Sequence, residues 1–161
     1  MTDTDTTPAT TADPTVAAAA AQFLTPVTLG LQALGVNGKQ AHWNVRGANF
    51  IAIHELLDEV VEHAQEWADL AAERIVALGL PIDARLATVS AKAKPTAIAA
   101  GFAQWDATVR AIIADIDAVI VDVKAAIDGL DEVDLTSQDV ALEIARGLEK
   151  DRWFLVAHVS A

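Results

Sequence analysis

The 161-residue sequence contains no cysteine and no tyrosine. The absence of cysteine excludes disulfide bonds, thiolate metal ligands and cysteine nucleophiles. Basic residues are also scarce, because 11 Lys and Arg stand against 23 Asp and Glu, which gives a formal net charge of −12. Residues 1–38 contain neither lysine nor arginine. A basic surface for nucleic acid phosphates is therefore not expected.

The sequence also has no uninterrupted apolar run that approaches the roughly 20 residues needed to span a bilayer. The N-terminal stretch carries no positive charge, which argues against a secretory signal. We therefore expect a cytoplasmic protein with no membrane association, and export after removal of a leader is the alternative. Residues 1–15 are rich in Thr, Asp, Pro and Ala, which predicts a flexible tail before a single domain over residues 16–161.

Hydrophobic residues make up 53% of the chain and are mostly Ala, Val, Leu and Ile, a composition that favours packed helices. The periodicity predicts four long helices, and a short helix after Asp83 lies in the connection between the second and third. Thr136 and Asp139 resemble a capping box before the last helix. The long helices are predicted over about 16–45, 49–78, 98–127 and 136–159. This all-α order describes a ferritin-like four-helix bundle with a central crossover connection.

The second predicted helix has a polar face opposite an apolar one. At about 100° per residue, the apolar side chains that a bundle core would bury are Leu57, Val60, Val61, Ala64, Trp67, Ala68, Ala71 and Ile75. The opposite side carries one histidine and four carboxylates: His54, Asp58, Glu62, Asp69 and Glu73. These polar side chains are therefore predicted to face away from the core of their own subunit.

Two pairs on this polar face have the spacing of metal ligands. His54 and Asp58 are four positions apart, as are Asp69 and Glu73, and side chains at that spacing can point at one spot. Asp58 and Asp69 are separated by roughly 16 Å along the helix axis. One ion can use both pairs only if an antiparallel copy of the helix packs against the first across a two-fold axis. Such an interface would hold two equivalent sites.

Imidazole and carboxylate ligands with open positions suit ferrous iron, which needs room for an oxidant. His42, near the end of the first helix, is a further candidate ligand. The alternative interpretation is that the carboxylate stripe is an ordinary solvated helix face. We interpret His63 and His158 as structural or surface histidines. The tryptophans are interpreted as packing residues rather than cofactor-stacking ones: Trp43, Trp67, Trp105 and Trp153.

Three segments together resemble the signature of the Dps family, the mini-ferritins also called DNA-binding proteins from starved cells. The first combines His42-Trp-Asn-Val-Arg-Gly47, Phe50 and His54-Glu-Leu-Leu-Asp-Glu59. The second is Asp69-Leu-Ala-Ala-Glu-Arg74, and Leu148-Glu-Lys-Asp-Arg-Trp-Phe-Leu155 resembles the last helix of the family. The types, order and spacing of the ligands all coincide, and the resemblance covers nearly everything after residue 16.

This resemblance implies twelve copies in a hollow shell of tetrahedral symmetry. It implies that ferrous iron is bound by His42, His54 and Asp58 of one subunit and by Asp69 and Glu73 of its two-fold neighbour. The iron would be oxidised there, typically by hydrogen peroxide and less readily by oxygen, and ferric oxide would be stored inside. Trp43, beside His42, would intercept a stray radical, with plain packing as the alternative.

The acidic stretch 128–134 occupies, by the same resemblance, the region that lines pores at the three-fold axes. Repeated threefold, Asp131, Asp134 and Asp139 would concentrate Fe(II) by electrostatic focusing, and an ordinary polar loop is the alternative. Many family members bind DNA through a tail rich in Lys and Arg. This chain has no such residue in 1–38 or after Arg152, so we expect no appreciable DNA binding.

Two other functions stay open at this point. A metal held by histidine and carboxylate can activate water, so a metal-dependent hydrolase acting on amides or esters is one of them. The sequence has no Ser-His-Asp elbow and no Gly-rich phosphate loop, so any hydrolysis would have to be metal-based. The other is a DNA-compacting shell, which the acidic, Lys/Arg-free tail disfavours.

Overall fold

A computed structural model describes residues 12–160, and within them the chain is almost entirely helical. The elements are α1 (Pro14–Asn44), β1 (Val45–Arg46), α2 (Phe50–Ala77), α3 (Leu86–Lys92), β2 (Ala103–Gln104), α4 (Trp105–Leu130) and α5 (Leu135–Val159). The four long helices form a bundle in which α1 packs against α2 and α4, while α5 packs against α4 and α2. The connection from α2 to α4 contains the short α3. The predicted all-α bundle with a short helix in its crossover is confirmed.

The core is built from the apolar stripes of all four long helices. Burying one large aliphatic side chain stabilises a fold by about 1.5–3 kcal/mol, and many such side chains are fully buried here, among them Leu24, Leu31, Leu34, Leu57, Ile75, Ile112, Ile116, Ile144 and Leu148. The apolar face predicted for α2 is buried as expected, except that Trp67 is only half-buried. The polar face of α2 therefore points away from this core.

α1 begins at Pro14, two residues before the predicted start. The side chain of Asp13 accepts a hydrogen bond of 2.7 Å from the backbone N–H of Thr15 and so caps the helix. Proline is well suited to the first turn, where its missing N–H would have no helical partner. The predicted flexible tail falls largely on residues 1–11, which lie outside the described residues.

Over an 18-residue window, α1 is long and apolar enough to cross a membrane by length and composition alone. In the structure this helix lies along both α2 and α4, and Leu24, Val27, Leu31 and Leu34 are buried in the bundle core, whereas Val36 is exposed. Packing inside the bundle buries 39% of this apolar window.

The predicted start of the third long helix at Ile98 is wrong, because α4 begins at Trp105. Two interactions hold the preceding segment out of a helix. The side-chain amide of Gln40 donates to the carbonyl oxygens of Ala99 and Ala100 at 3.2 and 3.1 Å. In addition, β2 pairs in parallel with β1, so its backbone is hydrogen-bonded to another strand. Both are contacts between residues far apart in sequence.

The boundary between α4 and α5 also differs from the prediction. α4 continues to Leu130, so that Asp128 and Gly129 are helical. A Cβ atom at Gly129 would lie only 2.2 Å from the ring of Phe23, so the glycine allows α1 and α4 to pack closely. The predicted capping box of Thr136 and Asp139 is wrong, because α5 is capped by Asp134.

Candidate metal centre

A tight turn between α1 and α2 brings the first two candidate ligands together. Gly47 has a φ of 115°, a left-handed conformation that residues with a Cβ rarely adopt. A Cβ atom at this position would also lie 2.7 Å from Gln104 and 2.8 Å from Trp105. The turn therefore depends on glycine, and it places the end of α1 beside the start of α2.

His42 and His54 meet across this turn in a reciprocal arrangement. The Nδ1 atom of His42 lies 2.7 Å from the carbonyl oxygen of His54, and the Nδ1 atom of His54 lies 3.0 Å from the carbonyl oxygen of His42. The two rings stack with their centroids 3.6 Å apart and their planes inclined by 21°. His42 is buried and His54 is half-buried, with the ring of Phe50 at 5.1 Å from that of His54.

These hydrogen bonds determine which nitrogen of each ring is free. A carbonyl oxygen only accepts, so each Nδ1 must carry the hydrogen that it donates. In the neutral imidazole the lone pair then lies on Nε2, the atom that can bind a metal ion. A second ring nitrogen held by a carbonyl is the usual way in which proteins orient a histidine ligand. The backbone thus orients both histidine rings and leaves their Nε2 atoms free.

Asp58 lies on the same side of α2, one turn after His54. Its Oδ1 atom is 3.5 Å from Nδ1 of His42, and the ammonium group of Lys39 makes a close ion pair with the same oxygen. The hydrogen bond from Lys39 holds the pKa of Asp58 below its ordinary value. Lys39 was not predicted to belong to this centre. Its position one turn before His42 on the same helix is the signal that could have indicated it.

Asp69 and Glu73 lie on the same outward face of α2, where both are exposed to solvent. They are not brought to the histidines, since about 16 Å of helix separates Asp58 from Asp69. Across residues 12–160, no three His, Asp or Glu side chains converge into a group that could hold a metal ion. The five predicted ligands are therefore divided into two clusters within one chain.

The predicted pore residues lie around the start of α5 and have different surroundings. Asp131 is exposed at the end of α4, where the side-chain amide of Gln138 donates to it at 3.3 Å, and Asp139 is exposed on α5. The carboxylate of Asp134 already has two protein partners: it accepts a 3.1 Å hydrogen bond from the N–H of Ser137, which caps α5, and it pairs with Arg74 at 2.7 Å. Partial burial alone would raise the pKa of Asp134, but its hydrogen bonds with Ser137 and Arg74 outweigh burial, so the pKa is lowered below its ordinary value.

The remaining histidines and tryptophans fall into two groups. His63 contacts the buried carboxylate of Asp151 through Nδ1 at 3.0 Å and stacks on Trp67, with ring centroids 5.3 Å apart. This contact joins α2 to α5 and agrees with a structural role for His63. Trp43 and Trp153, by contrast, are each 65% exposed, so neither packs in the core of its own subunit as predicted.

Comparisons with known proteins agree with this fold. The Ferritin-like domain family model matches residues 32–161. The DNA protection during starvation protein of Mycolicibacterium smegmatis is 39% identical over 133 residues, which cover 76% of this chain and 67% of that protein. The protein of the same name from Agrobacterium fabrum is 38% identical over 122 residues and covers 75% of each chain. The chain belongs to the Dps family.

Solved structures of Dps proteins share its architecture. The Dps of Microbacterium arborescens, described in its high iron form, superposes with a TM-score of 0.93 and 72% identity over 94% of this chain and 99% of that chain. The tetragonal form of Mycobacterium smegmatis Dps gives a TM-score of 0.87 at 30% identity, over 94% and 93% of the two chains. The ferritin-like bundle and the Dps membership predicted from the sequence are therefore confirmed.

Proposed function

We propose that this Dps-family chain oxidises ferrous iron at sites between two-fold-related subunits and stores the ferric product inside a shell of twelve copies. The observation that carries the proposal is the reciprocal pairing of His42 and His54. Both Nδ1 atoms are bonded to backbone carbonyl oxygens, at 2.7 and 3.0 Å, which leaves the two Nε2 lone pairs free, and Oδ1 of Asp58 lies 3.5 Å from Nδ1 of His42. Nitrogen and oxygen ligands of this kind suit Fe(II).

The second half of each site would come from a neighbouring subunit. Asp69 and Glu73 share the outward face of α2 with His54 and Asp58. The buried aliphatic side chains of α2 lie on the opposite face, toward the core. An antiparallel α2 from a second copy would bring these two acids to the histidines. A self-complementary contact repeats the arrangement, so each interface would hold two sites.

Hydrogen peroxide is the oxidant that we propose, with oxygen as a slower one. Each ferrous ion gives up one electron, so two of them reduce one peroxide molecule, which takes up two protons and leaves as two water molecules. The carboxylates favour the ferric product, because negative oxygen ligands stabilise the higher positive charge. The reaction removes both reagents that would otherwise generate hydroxyl radicals, and it therefore protects a cell under oxidative stress.

The relatives support this assignment. The Dps of Microbacterium arborescens, 72% identical, was solved in a form described as rich in iron. We extend iron binding to this chain because its own ligand types and their spacing are suited to it. A cytoplasmic location belongs to the same proposal.

The test mixes the protein with Fe(II) and hydrogen peroxide in a stopped-flow spectrometer and follows the absorbance of the ferric product over time. The double variant His54→Ala with Asp58→Ala should lower the initial rate by about 100-fold or more, since two ligands of each site are lost. The matched control, His158→Ala with Asp106→Ala, removes the same side-chain types outside the site and should keep the full rate. Equal rates in the two double variants would overturn the proposal.

Two further measurements complete the test. Amide and ester hydrolysis by the same samples is assayed in parallel, and loss of hydrolysis with retained iron oxidation would assign the site to hydrolytic chemistry instead. The mass in solution tests the assembly, because twelve copies of a 16.9 kDa chain weigh about 203 kDa. A chain that stayed monomeric would keep its two ligand clusters apart, and it would contradict a site between subunits.

A further inference from the structure

A groove of about 480 Å³ runs along the outside of the bundle between α1 and α4. It is closed on its third side by residues 92–95, which follow α3. This position is on the opposite side of α1 from α2, so the groove is separate from the histidine pair. Its α1 wall extends from Ala21 to Asn37, which corresponds to about 24 Å of helix. The groove is therefore elongated.

The walls of the groove are mostly apolar. Its floor is formed by side chains from both helices, including Leu29, Leu34 and Val119. A Cβ atom at Gly30 would lie 3.2 Å from the side chain of Val119, so the glycine lets the two helices pack closely. The connection is fastened over the rim by Lys94, which donates to the carbonyl oxygen of Ala118 at 3.0 Å and pairs with Asp122 at 3.1 Å. A long apolar slot with few polar groups is typical of small-molecule sites.

One end of the groove carries a negative charge without a cationic partner. Asp115 is half-buried there and accepts a 2.7 Å hydrogen bond from Thr96 and another from Asn37. None of the ion pairs within residues 12–160 includes Asp115. Burial raises the pKa of this carboxyl, and its neutral hydrogen-bond donors only partly oppose that shift. A half-buried carboxylate of this kind is stabilised by a cation that brings its own N–H donors.

We propose that this groove binds an aliphatic amine, with its ammonium group on Asp115 and its hydrocarbon chain along α1 toward Ala21. The ammonium supplies the positive charge that the neutral donors Thr96 and Asn37 lack. Leu29, Leu34 and Val119 are already nearly buried, so the gain comes mainly from the apolar surface of the hydrocarbon chain itself as it leaves water for the groove. Asp122 does not compete for the ammonium, because Lys94 already neutralises it.

Calorimetric titration of the assembled protein tests this with three probes that share one chain length: octylammonium, 1-octanol and octanoate, all below their aggregation concentrations. Octylammonium should bind at least about tenfold more tightly than octanol, which is the range of one charge-assisted hydrogen bond. Octanoate should bind most weakly, because the Asp115 carboxylate would repel it, even though Lys92 lies at the rim. Equal affinities, tighter binding of octanoate, or no binding of octylammonium would each overturn the proposal.

Variants then locate the site. Asp115→Asn keeps the shape of the side chain and should lower octylammonium affinity about tenfold while changing octanol affinity little. Asp106→Asn removes the same charge outside the groove and should change neither. Ala33→Leu, which fills the groove, should weaken both probes. An Asp115→Asn protein with wild-type octylammonium affinity would contradict the assignment, and the three-probe comparison on the unmodified protein holds even if a variant fails to fold.

Discussion

His42 and His54 each hold the ring of the other in place through the backbone, with Nδ1 to carbonyl distances of 2.7 and 3.0 Å. The two residues are 12 positions apart, and only the short turn around Gly47 separates their helices. Because each ring is oriented by the main chain of the opposite helix, the geometry of the pair depends on the geometry of this turn. A change in the conformation of the turn should therefore alter the orientation of both histidine rings at once.

Gly47→Ala tests that dependence. The positive φ of 115° and the contacts with Gln104 and Trp105 should make this variant less stable by about 2 kcal/mol or more. Thermal and denaturant unfolding measure the loss, and the rate of iron oxidation should fall with it. The control is Gly101→Ala, where a Cβ would meet nothing within 4 Å. A Gly47→Ala protein as stable as the control would contradict the expectation.

Lys39→Met tests the ion pair with Asp58. On the proposed assignment, the ammonium of Lys39 competes with a metal ion for the same carboxylate oxygen, so its removal should tighten Co(II) binding by roughly 1.5- to 5-fold, consistent with one exposed ion pair. Calorimetric titration with Co(II) measures the change without any redox step. Lys124→Met, which removes an exposed lysine of α4, should leave the affinity unchanged. Weaker binding in Lys39→Met would show that the lysine assists the site.

Asp134→Asn tests the cap of α5 and its pH dependence. The partners of Asp134 lower its folded pKa below the ordinary value of 3.8, so the ionised carboxylate stabilises the fold above that pH. This contribution is lost as the pH falls through the folded pKa. We expect Asp134→Asn to be less stable by about 1 kcal/mol at pH 7, with the difference shrinking near pH 3. Urea unfolding at both values, with Asp139→Asn as the exposed control, measures this.

The proposed pore is tested by Asp131→Asn combined with Asp139→Asn. Both side chains are exposed, so their replacement should leave the mass of the assembly and its melting temperature unchanged. If three-fold copies concentrate Fe(II), uptake of iron into the shell should slow several-fold, most clearly at low salt, because screening weakens the focusing. Uptake at the wild-type rate in low salt would count against a pore lined by these residues.

The acidity of the chain makes a prediction about DNA. Twelve copies at −12 each carry a formal charge of −144, and phosphate repulsion should dominate at ordinary salt. A gel-shift experiment at low salt without divalent cations should therefore show free DNA only. Retention of DNA in that experiment would refute the prediction. A complex that forms only when Mg²⁺ is added would indicate cation bridging rather than a basic surface.

Helical periodicity is sufficient to predict the long helices and the outward face of α2, because both follow from contacts that repeat every three or four residues. It does not predict that α4 begins at Trp105, since that boundary depends on Gln40 and on the pairing of β1 with β2. The ligands could be selected by type and spacing. The reciprocal hydrogen bonds of His42 and His54 could not be predicted, because they depend on the conformation of a turn. The ion pair of Lys39 with Asp58 could not be predicted either, because it joins two helices.

The separation of the histidine pair from Asp69 and Glu73 along one helix has a kinetic consequence. On the proposed assignment, a newly made chain carries two half-centres and no complete one, so activity per chain depends on protomer concentration. The specific rate should fall on dilution below the dissociation constant of the two-fold contact and recover on reconcentration. On this proposal, oxidation is thereby confined to chains that already have a two-fold partner.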